Sequence, residues 1–126
     1  MDLLLFLCLL IKHAIVDLAL QRYLSNTQKS NYYSRRAQYH YGQHAIGTFI
    51  VCLFFFGPIT AVVAGLLDWV AHWHIDFIKH RINNRFKFTS TSNGYWWLNS
   101  IDQIAHFTTY FLIIILLKRN PSKFCT

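Results

Sequence analysis

Glutamate is absent from this 126-residue chain, and aspartate occurs only five times. Charged residues of both signs amount to 13%, against roughly 25% in an ordinary soluble domain, too few to cover a water-facing surface. Cysteine is sparse and odd in number, at Cys8, Cys52 and Cys125, which excludes a disulfide framework and leaves the first two as packing residues in apolar runs. No glycine-rich phosphate loop and no serine in a nucleophile-elbow setting occurs, so nucleotide binding and serine-hydrolase chemistry lack their signatures. No segment is low in complexity. Hydrophobic residues, in contrast, make up 54% of the chain and aromatic ones 17%. This is the composition of a membrane protein of one domain.

The few acids are not scattered. Asp17, Asp68, Asp76 and Asp102 lie inside apolar stretches, and each stands four residues from a histidine. The boxes are His13-x3-Asp17, Asp68-x3-His72-x3-Asp76 and Asp102-x3-His106, with His40-x3-His44 repeating the spacing in two histidines. Residues four apart share one helix face. Ionisable groups are expensive in lipid and are normally paired, inward-facing and functional.

Four helices are expected, over residues 3–23, 39–56, 59–83 and 96–118, in a single domain spanning 1–126. The first apolar run has no basic region before it and is broken by Lys12 and His13, so it reads as a retained helix and not a signal peptide. Gly57-Pro58 breaks segment two from segment three. Segments one, three and four reach the ~20 residues of a spanning helix; segment two is shorter and reads as a tilted span. The expected fold is all-α, an integral-membrane up-down bundle of four transmembrane helices.

In that topology all four boxes converge on the side of loops one and three. Arg22, Lys29, Arg35, Arg36, Lys79, Arg81, Arg85 and Lys87 lie there too, whereas Lys118, Arg119 and Lys123 lie opposite. The positive-inside rule then makes loops 24–38 and 84–95 cytoplasmic and puts both termini outside, in a multi-pass inner-membrane protein. The net charge of +7 is thereby explained by topology and anionic headgroups, and nucleic acid is not an expected partner. Tyr32, Tyr33, Tyr39, Tyr41, Tyr95, Trp96 and Trp97 read as an interfacial aromatic belt at this side. Individual stripes are His13, Asp17 and Gln21 on segment one; Asp68, His72, Asp76 and Lys79 on segment three; and Asn99, Asp102, His106 and Thr109 on segment four. His74 and His80 fall outside the centre of theirs and read as interfacial or solvated.

Imidazole and carboxylate together suit zinc, manganese, iron or magnesium, and carboxylates fed from facing helices are how di-metal bundles are built. Any one box also reads as a buried hydrogen-bonded pair holding helices together; four on one side favour a site. The metal candidates are His13, Asp17, His44, His72, Asp76, Asp102 and His106. Asp76, Lys79 and Asp68 are the catalytic candidates.

The order of the boxes is similar to a family of small bacterial integral-membrane proteins, domain of unknown function 3307. Its pattern is H-x3-D-F-x2-Q, a histidine opening the second helix, H-x2-I-D-x2-K, then D-Q-x2-H. The matching residues are His13, Asp17 and Gln21, then His44, then His72, Ile75, Asp76 and Lys79, then Asp102, Gln103 and His106. Leu18 departs from the aromatic of the first motif, and His40 and Asp68 have no counterpart in it. The resemblance implies the fold and the residue set and no activity.

The leading expectation is therefore a metal-dependent hydrolase acting on a phosphoester or lipid-linked substrate at the cytoplasmic interface, with the lipid bilayer as its surroundings and oligomers allowed. The alternatives are a proton or metal-ion conduit, which an apolar loop-two half of the bundle disfavours, and a non-enzymatic membrane interaction protein, which has no positive signature.

Overall fold

Local signals set most of the boundaries. The Ser34 hydroxyl accepts from the Ala37 amide, an N-cap that satisfies one of the free donors at a helix start. Pro58 occupies the first turn after Gly57, where its missing N–H costs nothing. Lys87 ends the same helix in the left-handed conformation, with its amide returned to the Asn83 carbonyl. The computed structural model describes residues 2–20 and 29–119. Within them the chain is all-helical: α1 (Asp2–Ile15), continued by a π-helical turn over Val16–Leu20, α2 (Arg35–Leu53), α3 (Pro58–Phe86) and α4 (Asn93–Arg119).

The predicted helices are therefore present, α2 starting earlier and stopping sooner than expected, and α3 extending further. Gln21, expected on the first stripe, and Cys125 lie outside the described residues. Segments Leu3–Leu20, Pro58–Phe86 and Asn93–Arg119 are long and apolar enough to cross a membrane. The 19 residues of α2 rise about 28 Å, but its arginines and histidines keep it out of that group.

Side-chain contacts give the topology. Moving along α1, Lys12 meets Tyr110 of α4 and His13 approaches His106, while Asp17 meets His44 and His40 of α2. Moving along α3, Asp68 meets Thr48, and His72 stacks on His44. Each sequence neighbour thus runs antiparallel to the last, and α4 closes back on α1. The most extensive packing joins α2 to α3, where Gly65 lets the backbones approach: a Cβ added there would lie 2.8 Å from the Ala45 carbonyl oxygen.

Burial is layered and inverted. At the loop-two end, Leu5, Leu9, Cys52, Ala61, Ala64, Ile113, Ile114 and Leu117 form an apolar core with Tyr110 at its edge. Towards the other end the interior is polar, with buried Lys12, His13, His44, Asp68, His72, Asp76, Asp102 and His106. Large apolar side chains such as Leu3, Leu7, Ile11, Ile15, Val70, Phe111 and Leu112 face outwards, an exterior unlike that of a soluble monomer.

Candidate functional site

The polar interior is assembled from i, i+4 stripes on all four helices. α3 contributes Asp68, His72, Asp76 and His80, all buried; α4 contributes Asp102, His106 and Tyr110; α2 contributes His40, His44 and Thr48. From α1 and its π turn come Lys12, His13 and Asp17. A π turn is a common way to present a side chain at a functional site, and here Asp17 is carried on one.

Imidazole rings fill the centre. His72 is fully buried, stacked between His44 and His106 at centroid distances of 3.6 and 4.0 Å. His13 lies 5.1 Å from His44, 5.4 Å from His72 and 4.9 Å from His106. Asp17 faces three imidazoles: His13 Nε2 at 3.1 Å, His40 Nε2 at 3.3 Å and His44 Nε2 at 3.0 Å. Those separations match the edge of a coordination shell with bonds of about 2.0–2.1 Å. His106 bridges Asp76 and Asp102, at 3.3 and 3.6 Å.

Three groups bring potential ligand atoms within 4.8 Å of one another: His13, Asp17, His44 and His72; His40, His72 and Asp76; and Asp76, Asp102 and His106. The seven residues expected as metal ligands all belong to these groups. His40, unassigned by the motif pattern, joins them. Neither ring nitrogen of His72 has a hydrogen-bond partner among the described residues, although buried polar atoms are nearly always paired.

Three lysines neutralise three of the aspartates. Lys12 lies 2.8 Å from Asp68, Lys29 pairs with Asp76, and Lys79 lies 3.0 Å from Asp102. Lys12 also donates to the Tyr110 hydroxyl at 2.9 Å and to the His44 carbonyl at 3.4 Å, so each ammonium proton finds an acceptor. Asp68 additionally accepts from Thr48. Asp68, expected as a catalytic carboxylate, is thus committed to a floor network beneath the histidines and belongs to none of the ligand groups. Tyr110 joins floor to site through a 2.9 Å hydrogen bond with His13 Nδ1. This bond orients the ring so that Nε2 points towards Asp17, 3.1 Å away.

A cavity of about 310 Å³ reaches this assembly between α1 and α4. Leu10, Ala14, Leu18 and Phe107 line its apolar side; Asp17, Lys29, Lys79, Asp76, Asp102 and Gln103 are among its polar side. A larger groove, about 500 Å³, runs between α1 and α2 with an almost wholly apolar lining, bordered by Lys12 and Gln43.

Several expectations need correcting. His80 is buried, not solvated, because α3 is covered by both α2 and α4 and its inward arc is correspondingly wide. Tyr41 is also buried, 5.9 Å from the His72 ring, and is no part of a belt; Tyr33, Tyr39, Trp96 and Trp97 are exposed as that reading requires. Thr109 turns its hydroxyl onto the Ala105 carbonyl, and Tyr110 takes its place facing the site. His74 is exposed, as expected. Lys12, Lys29, Thr48 and Tyr110 were missed. Thr48 and Tyr110 stand one turn beyond His44 and His106, so extending each stripe by four residues finds them. Lys12 is signalled by a charge inside an apolar run; nothing in the sequence marks Lys29.

Compared with known proteins, residues 5–125 match the model of a family described as "Protein of unknown function (DUF3307)". No curated protein and no solved structure matches the chain.

Proposed function

From the premise that this chain belongs to the DUF3307 family of proteins of unknown function, we propose that it is a membrane-embedded metal-binding protein. Its activity is that of a metal-dependent hydrolase, acting on a phosphoester or lipid-linked substrate at the cytoplasmic membrane interface. Three helices long and apolar enough to cross a bilayer support the membrane part, with α2 as a fourth, shorter span. Arg35, Arg36, Arg81, Arg85 and Lys87 gather at the end of the bundle that carries loops one and three. By the positive-inside rule that end is cytoplasmic and both termini are outside.

One observation carries the metal reading. His13, Asp17, His44 and His72 come from three helices with ligand atoms within 4.8 Å, and His72 is wholly buried with both ring nitrogens unbonded among the described residues. Three imidazoles disfavour magnesium and suit zinc or iron, while the Asp17 carboxylate also admits manganese. Four protein ligands close a tetrahedral shell, so a hydrolytic role calls for a six-coordinate ion such as manganese or iron. When bound, the ion supplies Lewis acidity towards a water or a phosphoryl oxygen. Asp76, in the same cavity and held by Lys29 and His106, serves as base towards the attacking water. Lys79 meets the anionic group of the substrate, and the apolar wall of Leu10, Ala14, Leu18 and Phe107 takes its chain.

Elemental analysis of the purified protein after chelation and reloading with Mn²⁺ tests this. Bound manganese in the unaltered chain, lost in Asp17→Asn and in His72→Leu while both variants stay folded, is the expected result. A well-folded chain that retains no divalent ion under any loading condition sinks it.

The column of His44, His72 and His106 also suits a proton path. It stops, however, against the apolar core at the loop-two end, as a closed pocket does. Proton flux into liposomes, abolished by Asp76→Asn, is the result that favours the conduit.

A further inference from the structure

The seven ligand candidates separate into two sets with no member in common: His13, Asp17, His44 and His72, and Asp76, Asp102 and His106. The third grouping, His40 with His72 and Asp76, borrows from both and adds no independent position. The two sets differ in how their charge is balanced. Three imidazoles lie within 3.3 Å of Asp17, and Lys12, whose own ion pair is with Asp68, acts on it only from a distance. In the second set each carboxylate carries its own ammonium, Lys29 Nζ on Asp76 Oδ2 and Lys79 Nζ on Asp102 Oδ2, at 2.5 and 3.0 Å.

We propose that the protein takes one divalent cation, in the His13–Asp17–His44–His72 set, and that Lys29 and Lys79 are the resident cations of a second metal position. This rests on the metal reading above and decides the number of ions and their place. Two carboxylates and two ammonium groups sum to zero charge. A divalent ion added to them brings uncompensated charge into a buried space, where Coulomb energies are large. It also has to displace ammonium groups from the oxygens it needs. The second set is otherwise equipped as a site: two carboxylates and an imidazole converge, and Asp102 Oδ1 is buried with no hydrogen-bond partner among the described residues. Oxygen-rich sets of that kind suit manganese. The lysines therefore turn a two-metal arrangement into a one-metal site flanked by two neutral lysine–aspartate pairs.

The test is a count of ions. The full chain in detergent is stripped with chelator, equilibrated with excess Mn²⁺, desalted and analysed for manganese per chain. One ion is expected in the unaltered protein, two in Lys29→Gln/Lys79→Gln, and one again when Asp102→Asn is added to that pair. Because losing both lysines leaves carboxylates uncompensated, Lys79→Gln alone serves as the milder variant. Its melting temperature should rise with Mn²⁺ by more than that of Lys79→Gln/Asp102→Asn. Two ions in the unaltered chain, a double variant that still holds one, or equal Mn²⁺ responses in the milder pair each overturn the lysine assignment and leave the metal reading standing. No ion in the unaltered chain overturns both.

Discussion

Lys12 occupies the position in which a lone charge is hardest to tolerate. Its ammonium is buried at the boundary between apolar core and histidine cluster, and Asp68, Tyr110 and the His44 carbonyl take its three protons. Removing one partner of a buried ion pair typically costs about 3–5 kcal/mol because the other is left charged and unpaired. Lys12→Met is therefore expected to lower the melting temperature sharply, and Lys12→Met/Asp68→Asn to recover most of the loss. Thermal unfolding of both variants in the same detergent checks this; equal destabilisation in the two refutes the pairing. The seven candidate ligands were legible because a four-residue spacing survives any bending of a helix. Lys12 was not, because its role depends on where three other helices put their side chains. His80 was misread for a related reason: helix angle alone says nothing about how many neighbours cover a face.

Two glycines decide how closely the helices bring those residues together. At Gly65 an added Cβ would meet the Ala45 carbonyl oxygen at 2.8 Å, and backbone cannot swing aside. Ala45 is next to His44, whose ring is stacked 3.6 Å from His72. Gly65→Ala is thus expected to cost about 1–3 kcal/mol by overpacking and to weaken Mn²⁺ binding by parting these rings, both readable from a melting curve with and without the ion. At Gly47 the same addition would strike the Lys12 stem at 2.7 Å, so this glycine is the gap through which that lysine crosses from α1 to the interior. The sequence announced the helices and the Gly57-Pro58 break. It gave no sign that Gly47 and Gly65 are points of close approach, since that property belongs to the facing helix.

Taken together, the layers give the molecule a direction: apolar core at the loop-two end, lysine–aspartate floor, histidine cluster, then a basic rim. The proposed orientation has a direct check. In a cysteine-free background, Tyr33→Cys and Ser90→Cys, both at exposed positions, should react with a membrane-impermeant maleimide only after the cytoplasmic face is opened. Phe54→Cys, at the opposite end and 83% exposed, should react only from outside, where the lipid boundary allows. Labelling of all three from one side rules the orientation out. Up-down order was legible from loop lengths and segment count. The inverted burial that makes the layers was legible only in outline, as acids placed where apolar residues predominate.

The cavity between α1 and α4 has one further consequence, for the speed with which an ion arrives. A cation travelling to Asp17 by that route passes the ammonium groups of Lys29 and Lys79, both of which line it. The carboxylates of Asp17, Asp76 and Asp102 line the same cavity, three negative charges against two positive, so the approach to the proposed site keeps a net attraction for a cation. Screening shortens the reach of those charges from about 30 Å at 0.01 M to about 8 Å at 0.15 M ionic strength. Manganese uptake followed by stopped flow should therefore slow as salt is added, and more steeply in Lys79→Gln, where one of the opposing charges is gone.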